Sequence, residues 1–437
     1  MSNGLPTADP YLPGHGDPSW SARHYDLDLG YDLARNHLRG QATIRATATD
    51  DLSRIVLDLA HLRVTKVLLD GKAPARYAAR GHRLVVTPKT QVAAGRDFEL
   101  RITYAGNPQP IVDKHHDDAG WEELTDGVIV AGQPHGAPTW FPCNDRPDDK
   151  ASYTIAVAVP HDYTVVANGT LAKKQRSASV TTWRYEQELP MATYLATVQI
   201  GRYDVRELAS EPPLLAAVPA DADPGFDASF GRNGEMLEVF SRLFGPYPFP
   251  TYSVVVTDDD LEIPLESQSL STFGRNFLDG EWDSVRLVAH ELAHQWFGNA
   301  VTLRRWQDIW LHEGFACYSE WLWSEESGGE SADHWAELHH ERLSGLDQDL
   351  VLADPGPALM FDDRVYKRGA LTLHALRRTV GDEPFFDLLR AWVAEHTGGS
   401  VVTADFVAMA VERTGADLTD LFVEWLHRTP LPDLPRA

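Results

Sequence analysis

The order of apolar and polar residues divides the chain into two parts with different periods. From about residue 20 to residue 206, apolar and polar residues alternate with period two, as in Phe98–Tyr104, and β-branched residues are frequent. This pattern predicts a series of short β-strands, and turn signals such as Asp70-Gly71 separate them. We therefore predict an antiparallel β-sheet or β-sandwich domain in this part of the chain.

After about residue 207 the apolar residues recur every three to four positions, as in residues 235–244. That spacing predicts amphipathic helices, and a single short strand, over residues 252–257, interrupts them. The other predicted helices cover residues 282–299, 308–323, 367–380, 384–396, 403–414 and 419–427.

Length and composition agree with this division. A chain of 437 residues with 43% hydrophobic and 24% charged residues can form two or three globular domains. The predicted fold class is α+β with several domains: a flexible N-terminal segment, then a β domain, then a mostly helical domain. The three parts cover residues 1–19, 20–206 and 207–437.

Charge and cysteine content exclude several classes of protein. The chain has 39 Lys and Arg against 64 Asp and Glu, a net charge of −25, whereas nucleic-acid binding needs a cationic surface. No apolar run is long enough to cross a membrane, and the N-terminus lacks the pattern of a secretory signal. With only Cys143 and Cys317 as cysteines, we predict a cytoplasmic protein that binds neither nucleic acid nor membrane.

One predicted helix carries a metal-binding pattern. His290 and His294 are four residues apart, so they share a helical face and can bind one zinc ion together. Glu291 is displaced by one position, which leaves it available as a general base on water. Glu313 follows His294 by nineteen residues and is the candidate third ligand. A His-His-Glu set leaves a fourth position open, which is typical of catalytic zinc.

Two alternatives accompany this interpretation. The histidines can instead be core or solvated residues with a glutamate on a neighbouring helix. Glu320, seven residues beyond Glu313, lies on the same helical face. It is either a hydrogen-bond partner of a ligand imidazole or a surface glutamate.

Three segments resemble the M1 metallopeptidases, the gluzincin aminopeptidases that include alanyl aminopeptidase and the bifunctional leukotriene-epoxide hydrolases. These segments are His-Glu-Leu-Ala-His-Gln-Trp-Phe-Gly-Asn at residues 290–299, Trp-Leu-His-Glu-Gly-Phe-Ala at 310–316, and Trp-Phe-Pro-Cys-Asn-Asp at 140–145. The resemblance extends from about residue 18 to residue 430. It implies a thermolysin-like catalytic domain with one zinc ion per chain.

The resemblance implies roles for further residues. Tyr366, in Tyr-Lys-Arg-Gly-Ala, matches the tyrosine with which the family stabilises the oxyanion. Glu266 matches the glutamate of the family's Gly-x-Met-Glu-Asn motif, which holds the α-ammonium group of the substrate, although only the glutamate is retained here. Gln133, nine positions before Pro142, matches a second substrate-binding position.

Together these residues imply a zinc aminopeptidase that acts on peptides with a free N-terminus. The alternatives are another zinc hydrolase on the same site, either an endopeptidase or an epoxide hydrolase, or a catalytically inactive scaffold with the same fold. Family members usually continue into a helical C-terminal domain that covers the active site, and this sequence ends about where that domain would begin. We therefore expect a short two-domain form with a more open site.

Overall fold

A computed structural model of the chain describes residues 7–115 and 118–436, and its internal contacts form two compact units. The chain first passes from one unit to the other after Leu208, and two later segments return to the first unit. The first unit comprises Met1–Leu208, Pro213–Asp221 and Phe249–Arg275, and the second comprises Ala209–Pro212, Ala222–Pro248 and Asn276–Ala437.

The first unit is built from β-strands, and those before residue 207 follow the predicted alternating pattern. The prediction of a single strand after residue 207 is wrong, because Leu214–Val218 and Leu270–Phe273 also form strands beside the predicted one. The strands of this unit are β1 Trp20–Asp32, β2 His37–Ala48, β3 Ile55–Asp58, β4 Arg63–Leu69, β5 Arg76–Arg80, β6 Arg83–Thr87, β7 Asp97–Gly106, β8 Gly120–Leu124, β9 Gly127–Ala131, β10 Ala151–Pro160, β11 Thr164–Ala167, β12 Thr170–Arg176, β13 Val180–Met191, β14 Val198–Gly201, β15 Asp204–Leu208, β16 Leu214–Val218, β17 Tyr252–Val256 and β18 Leu270–Phe273.

These strands form four sheets. A seven-stranded sheet has the order β12-β13-β10-β1-β2-β7-β4, and the smaller sheets have the orders β11-β14-β9-β8, β3-β6-β5 and β15-β16-β17-β18. Most pairs are antiparallel, but β1 pairs with β10 in parallel, with Leu27 opposite Ile155. The pairs β16–β17 and β17–β18 are also parallel. Every residue of β17 is buried, as expected for a strand between two parallel neighbours.

The turn predicted at Asp70-Gly71 can be compared with the structure. Asp70 and Gly71 both have positive φ, 49° and 73°, and Leu69 and Lys72 pair across them. They form the predicted tight turn, because both central positions of such a turn require left-handed backbone.

The N-terminal segment lies partly outside the described residues, since residues 1–6 are not among them. From residue 7 onward it is held against the β-strands. The backbone N–H of Gly16 donates to Oδ2 of Asp58 at 3.0 Å, and that of Asp17 donates to Oδ1 of Asn144 at 2.7 Å. Leu12 is buried. These contacts tie the segment to strand β3 and to the loop before β10.

The second unit is mostly helical, as the longer apolar period predicts. A pair of two-residue strands, β19 Thr302–Leu303 and β20 Ser400–Val401, is parallel. In the described part of the chain, no helix is long and apolar enough to cross a membrane. The helices are α1 Asp223–Phe230, α2 Asn233–Phe244, α3 Trp282–Ala293, α4 Trp310–Glu326, α5 Ala332–Ser344, α6 Asp363–Val380, α7 Asp382–His396, α8 Thr403–Thr414 and α9 Thr419–His427.

The predicted bounds are right for α8 and α9, differ by two or three residues for α2, α4 and α7, and are wrong by four or more residues for two helices near the metal-binding pattern. Helix α3 ends at Ala293 rather than at residue 299. Helix α6 begins at Asp363 rather than at residue 367, because the Asp362 carboxylate accepts a hydrogen bond from the N–H of Arg364 and caps the helix. Helix α5 was not predicted, since it buries only three widely spaced side chains.

Helices α4 and α6 approach each other backbone to backbone at two glycines. A methyl group added to Gly369 would lie 2.6 Å from Cα of Gly314, and one added to Gly314 would lie 2.7 Å from Cα of Gly369. Both distances are shorter than van der Waals contact, so the observed separation of the two helices requires glycine at both positions.

We predict that Gly369→Ala lowers the free energy of unfolding by about 1–3 kcal/mol, because the new methyl group forces α4 and α6 apart. Thermal or urea unfolding measures the change. Gly345→Ala is the matched control in the same unit, since a methyl group there makes only an ordinary contact and should change stability by less than about 0.5 kcal/mol. Equal effects of the two substitutions would contradict the prediction.

Candidate metal centre and active site

The metal-binding pattern lies at the end of α3 and the start of α4. His290 and Glu291 occupy the last turn of α3, and His294 is the residue that caps it. Glu313 lies in the first turn of α4. All four side chains are buried, so this part of the second unit places two imidazoles and two carboxylates in a largely dry environment.

The candidate ligand atoms are close together. The Nε2 atoms of His290 and His294 lie 3.3 Å and 3.4 Å from Oε2 of Glu313. In a tetrahedral site with bonds of about 2.0–2.1 Å, ligand atoms are about 3.3–3.4 Å apart, so the observed spacing fits a zinc ion. Among the residues that the structure describes, no other group of three His, Cys, Asp or Glu side chains has metal-ligand spacing.

The second nitrogen of each imidazole has a different acceptor. Nδ1 of His290 lies 2.8 Å from Oε1 of Glu320, and Nδ1 of His294 lies 3.1 Å from the carbonyl oxygen of Phe297. An imidazole that donates from Nδ1 keeps its Nε2 lone pair for a metal ion, and a carboxylate acceptor also increases its basicity. Of the two interpretations left open for Glu320, the contact therefore favours the hydrogen-bond partner.

Two basic residues that sequence reasoning did not single out also contact Glu320. Its Oε2 atom lies 3.2 Å from a terminal nitrogen of Arg286 and 3.7 Å from Nζ of Lys367. Lys367 also lies 3.1 Å from Sγ of Cys317. Arg286 precedes His290 by one helical turn, which is the one sequence signal that points to it. Lys367 is brought in by the packing of α6, which no local pattern predicts.

His290 and the two carboxylates beside it have strongly displaced pKa values. Burial disfavours the charged form of His290, but its hydrogen bonds with Glu313 and Glu320 outweigh burial and raise its pKa to about 10. Burial would raise the pKa of Glu313, yet the two imidazoles hold it well below its usual range. Likewise, burial opposes ionisation of Glu320, but Lys367 and His290 lower its pKa to about 2. The carboxylates are thus negatively charged and attract a cation.

Tyr366 belongs to the same part of the second unit. It lies in the first turn of α6 and is half-buried. Its ring stacks on that of His290, with centroids 5.9 Å apart and an angle of 19° between the planes. The second unit therefore contains six of the eight predicted site residues, which are His290, Glu291, His294, Glu313, Glu320 and Tyr366.

The two predicted substrate-binding residues belong to the first unit. Gln133 lies between β9 and β10, and Glu266 lies between β17 and β18. Both are half-buried. Their role toward a substrate stays a prediction.

Comparison with known proteins identifies the family. The profile of the peptidase M1 N-terminal domain matches residues 21–195, and that of the peptidase family M1 domain matches residues 229–425. The chain belongs to peptidase family M1. Both the predicted family and the predicted α+β fold are thereby confirmed.

Solved structures of M1 zinc metallopeptidases match nearly the whole chain. The M1 zinc metallopeptidase from Deinococcus radiodurans is 32% identical, with a TM-score of 0.90 over 98% of each chain. A mutant of a two-domain M1 zinc metallopeptidase bound to L-arginine is also 32% identical, with a TM-score of 0.90 over 98% of this chain and 99% of that chain. Zinc is accordingly the cofactor that both the family and the donor set indicate.

Curated relatives in the M1 family are longer than this chain. Aminopeptidase M1-B of Oryza sativa subsp. japonica is 26% identical, over 93% of this chain and 50% of the relative. Probable aminopeptidase 1 of Sulfurisphaera tokodaii is also 26% identical, over 87% of this chain and 50% of the relative. The chain thus spans about half the length of the curated relatives it matches.

We predict that Glu320→Gln weakens zinc binding by about 10–100-fold, because a neutral amide replaces the charged acceptor of His290. Competition with a chromogenic chelator measures the affinity. The control is Glu326→Gln at the end of α4, where the carboxylate pairs with Arg242 and the affinity should not change. An unaltered affinity in the Glu320 variant would show that this carboxylate does not support the metal.

Proposed function

We propose that the protein is a zinc-dependent aminopeptidase that removes the N-terminal residue from peptides. The observation that carries the proposal is the donor set of His290, His294 and Glu313, with its tetrahedral spacing, in a chain of the M1 family. The related Deinococcus radiodurans enzyme has been solved, as a mutant, with a Tyr-Ser-Ala substrate, which supports short peptides as substrates. The proposal includes a cytoplasmic location, which the two free thiols favour.

In this proposal, Glu291 is the general base. A zinc ion at this site supplies Lewis-acid polarisation of the scissile carbonyl and acidifies water. Glu291 accepts a proton from the attacking water and later donates it to the leaving amine. Glu291 is only 4% exposed, which supports this role. A carboxylate shielded from bulk water exchanges its proton with the attacking water and the leaving amine rather than with solvent.

Tyr366 is proposed to stabilise the oxyanion. A phenol is neutral at pH 7 and can donate a hydrogen bond to an oxygen that becomes negative in the transition state. Its stacking on His290 keeps it beside the ligand set. Because this donor acts mainly on the developing charge, it contributes to the rate of the chemical step more than to substrate binding.

The restriction to the first residue is assigned to Glu266 and Gln133. A carboxylate forms a charge-assisted hydrogen bond with the substrate's α-ammonium group, and an amide oxygen adds a weaker one. Such an arrangement binds a peptide only by its free N-terminus, so each cleavage releases a single amino acid.

Aminoacyl chromogenic substrates test the proposal. We expect chelator-sensitive release of the chromophore, and we expect Glu291→Gln to lower kcat by about 10²–10⁴-fold, because the general base is lost. The variant should bind zinc as the unaltered protein does, since Glu291 is not among the three grouped donors. Zinc content measured by atomic absorption is the control. Full activity of this variant, or release that resists the chelator, would refute the mechanism.

The amine requirement separates an aminopeptidase from an endopeptidase or an epoxide hydrolase. We predict that N-acetylation of a substrate abolishes cleavage, and that Glu266→Gln raises KM by about 10–100-fold because a charge-assisted hydrogen bond is lost. Steady-state kinetics on matched free and acetylated peptides measure both effects. Cleavage of the acetylated peptide at an undiminished rate would favour the endopeptidase.

A further inference from the structure

We infer that Asn168 is a positioning residue for the binding of the substrate's α-ammonium group, because it fixes the turn that follows Glu266. This inference rests on the proposed function, in which Glu266 binds that group. Asn168 itself does not need to touch the substrate. All the contacts that support the inference lie within the first unit.

Glu266 is fixed by backbone hydrogen bonds on both sides. Before it, Leu265 pairs with Thr272 through two N–H···O bonds of 2.9 Å and 3.0 Å. After it, the N–H of Leu270 donates to the carbonyl oxygen of Ser267 at 3.1 Å, which closes a four-residue turn. The backbone of Glu266 is therefore held between this strand pair and the turn over residues 267–270, whose geometry sets the direction in which its side chain leaves the chain.

That turn contains an unfavourable backbone conformation. Ser269, its third residue, has φ of 59°, in the left-handed region that turns of this kind normally fill with glycine or asparagine. A serine there is held only when surrounding contacts fix it. Contacts from outside the turn are thus needed to keep it in place.

The N–H of Ser253 donates to the carbonyl oxygen of Ser269 at 2.9 Å, and Asn168 and its neighbour supply further contacts from the connection between β11 and β12. The Nδ2 group of Asn168 donates to the carbonyl oxygens of Gln268 and Leu195, at 2.8 Å and 2.9 Å. Its Oδ1 accepts from the N–H of Thr197 at 2.6 Å. The N–H of Gly169 donates to Oγ of Ser269 at 3.0 Å.

The surroundings of Asn168 exclude its other conspicuous interpretation. The sequence Asn168-Gly169-Thr170 fits a glycosylation acceptor, but the Asn168 side chain is 0% exposed and three of its hydrogen-bonding positions are used. Its amide therefore links the turn after Glu266, through Gln268, to Leu195 and Thr197. Since recognition of a charged group tolerates only small displacements, loss of this support should be measurable as weaker amine recognition.

The test compares two competitive inhibitors, L-phenylalanine and 3-phenylpropanoate, which differ only in the α-ammonium group. The inhibition constant of 3-phenylpropanoate divided by that of L-phenylalanine, called the inhibitor ratio here, measures amine recognition alone. In Asn168→Asp, a carboxylate oxygen replaces the Nδ2 donor and faces two carbonyl oxygens. We expect the ratio to fall by about tenfold, the size of one weakened charge-assisted hydrogen bond, with zinc content unchanged.

A matched control separates positioning from general loss of stability. Asn144 is also 0% exposed in the first unit. Its Nδ2 donates to the carbonyl oxygens of Asp17 and Trp20 and to Oδ2 of Asp149, all far along the chain from the turn. Asn144→Asp makes the same chemical change. It should lower the melting temperature without altering the inhibitor ratio.

A second pair of variants tests the turn directly and serves if Asn168→Asp does not fold. Ser269→Val and Ser269→Gly both remove the hydroxyl that bonds to Gly169, but valine disfavours positive φ and glycine adopts it freely. We expect the inhibitor ratio to fall in the valine variant and to equal that of the unaltered protein in the glycine variant. Equal ratios in the two would overturn the role of the turn.

Glu266→Gln distinguishes failure of this inference from failure of the proposed function. If Glu266→Gln leaves the inhibitor ratio unchanged, Glu266 does not bind the amine. Both the proposed role of Glu266 and the positioning role of Asn168 are then overturned. If Glu266→Gln lowers the ratio while Asn168→Asp and Ser269→Val do not, the proposed function stands and the positioning role is overturned. In the Glu266→Gln background, Asn168→Asp should have no further effect, and an additional loss would show that Asn168 acts by another route.

Discussion

The arrangement of the helical unit around the candidate metal centre is constrained by three buried carboxylates that lie next to two imidazoles. Glu291, Glu313 and Glu320 are at most 4% exposed, and an uncompensated buried charge costs several kcal/mol. Arg286 and Lys367 offset the charge of Glu320. The negative charge around Glu313 is balanced by protons on the histidines or by a divalent cation, so the demand for a cation is built into the packing of α3 and α4.

The spacing of α4 and α6 determines which side chains surround that cation. Because Gly314 and Gly369 bring the two helices into backbone contact, a residue of α6 can reach a carboxylate of α4, as Lys367 does with Glu320. The same approach places Tyr366 beside His290. Two glycines without any chemical role therefore control the distance between the candidate ligands and the candidate oxyanion donor.

Sequence reasoning predicted features that depend on local order and missed those that depend on packing. The pairing of His290 and His294 follows from helical periodicity, and α8 and α9 have their predicted bounds because a regular apolar spacing marks them. Helix α5 was missed because few of its side chains are buried. The contact between Lys367 and Glu320 joins residues 47 positions apart in different helices, and no periodicity connects them. The support of the Glu266 turn by Asn168 is equally non-local.

One wrong prediction coincides with the metal centre and has a physical reason. The apolar spacing favoured a helix through residue 299, but α3 ends at Ala293 and the chain turns after His294. In a continuing helix, carbonyl groups point toward the C-terminus, so the carbonyl of Phe297 would point away from His294. Because the helix ends, that carbonyl instead lies 3.1 Å from Nδ1 of His294. The departure from helical geometry thus provides the acceptor that directs the Nε2 lone pair of His294 toward the metal position.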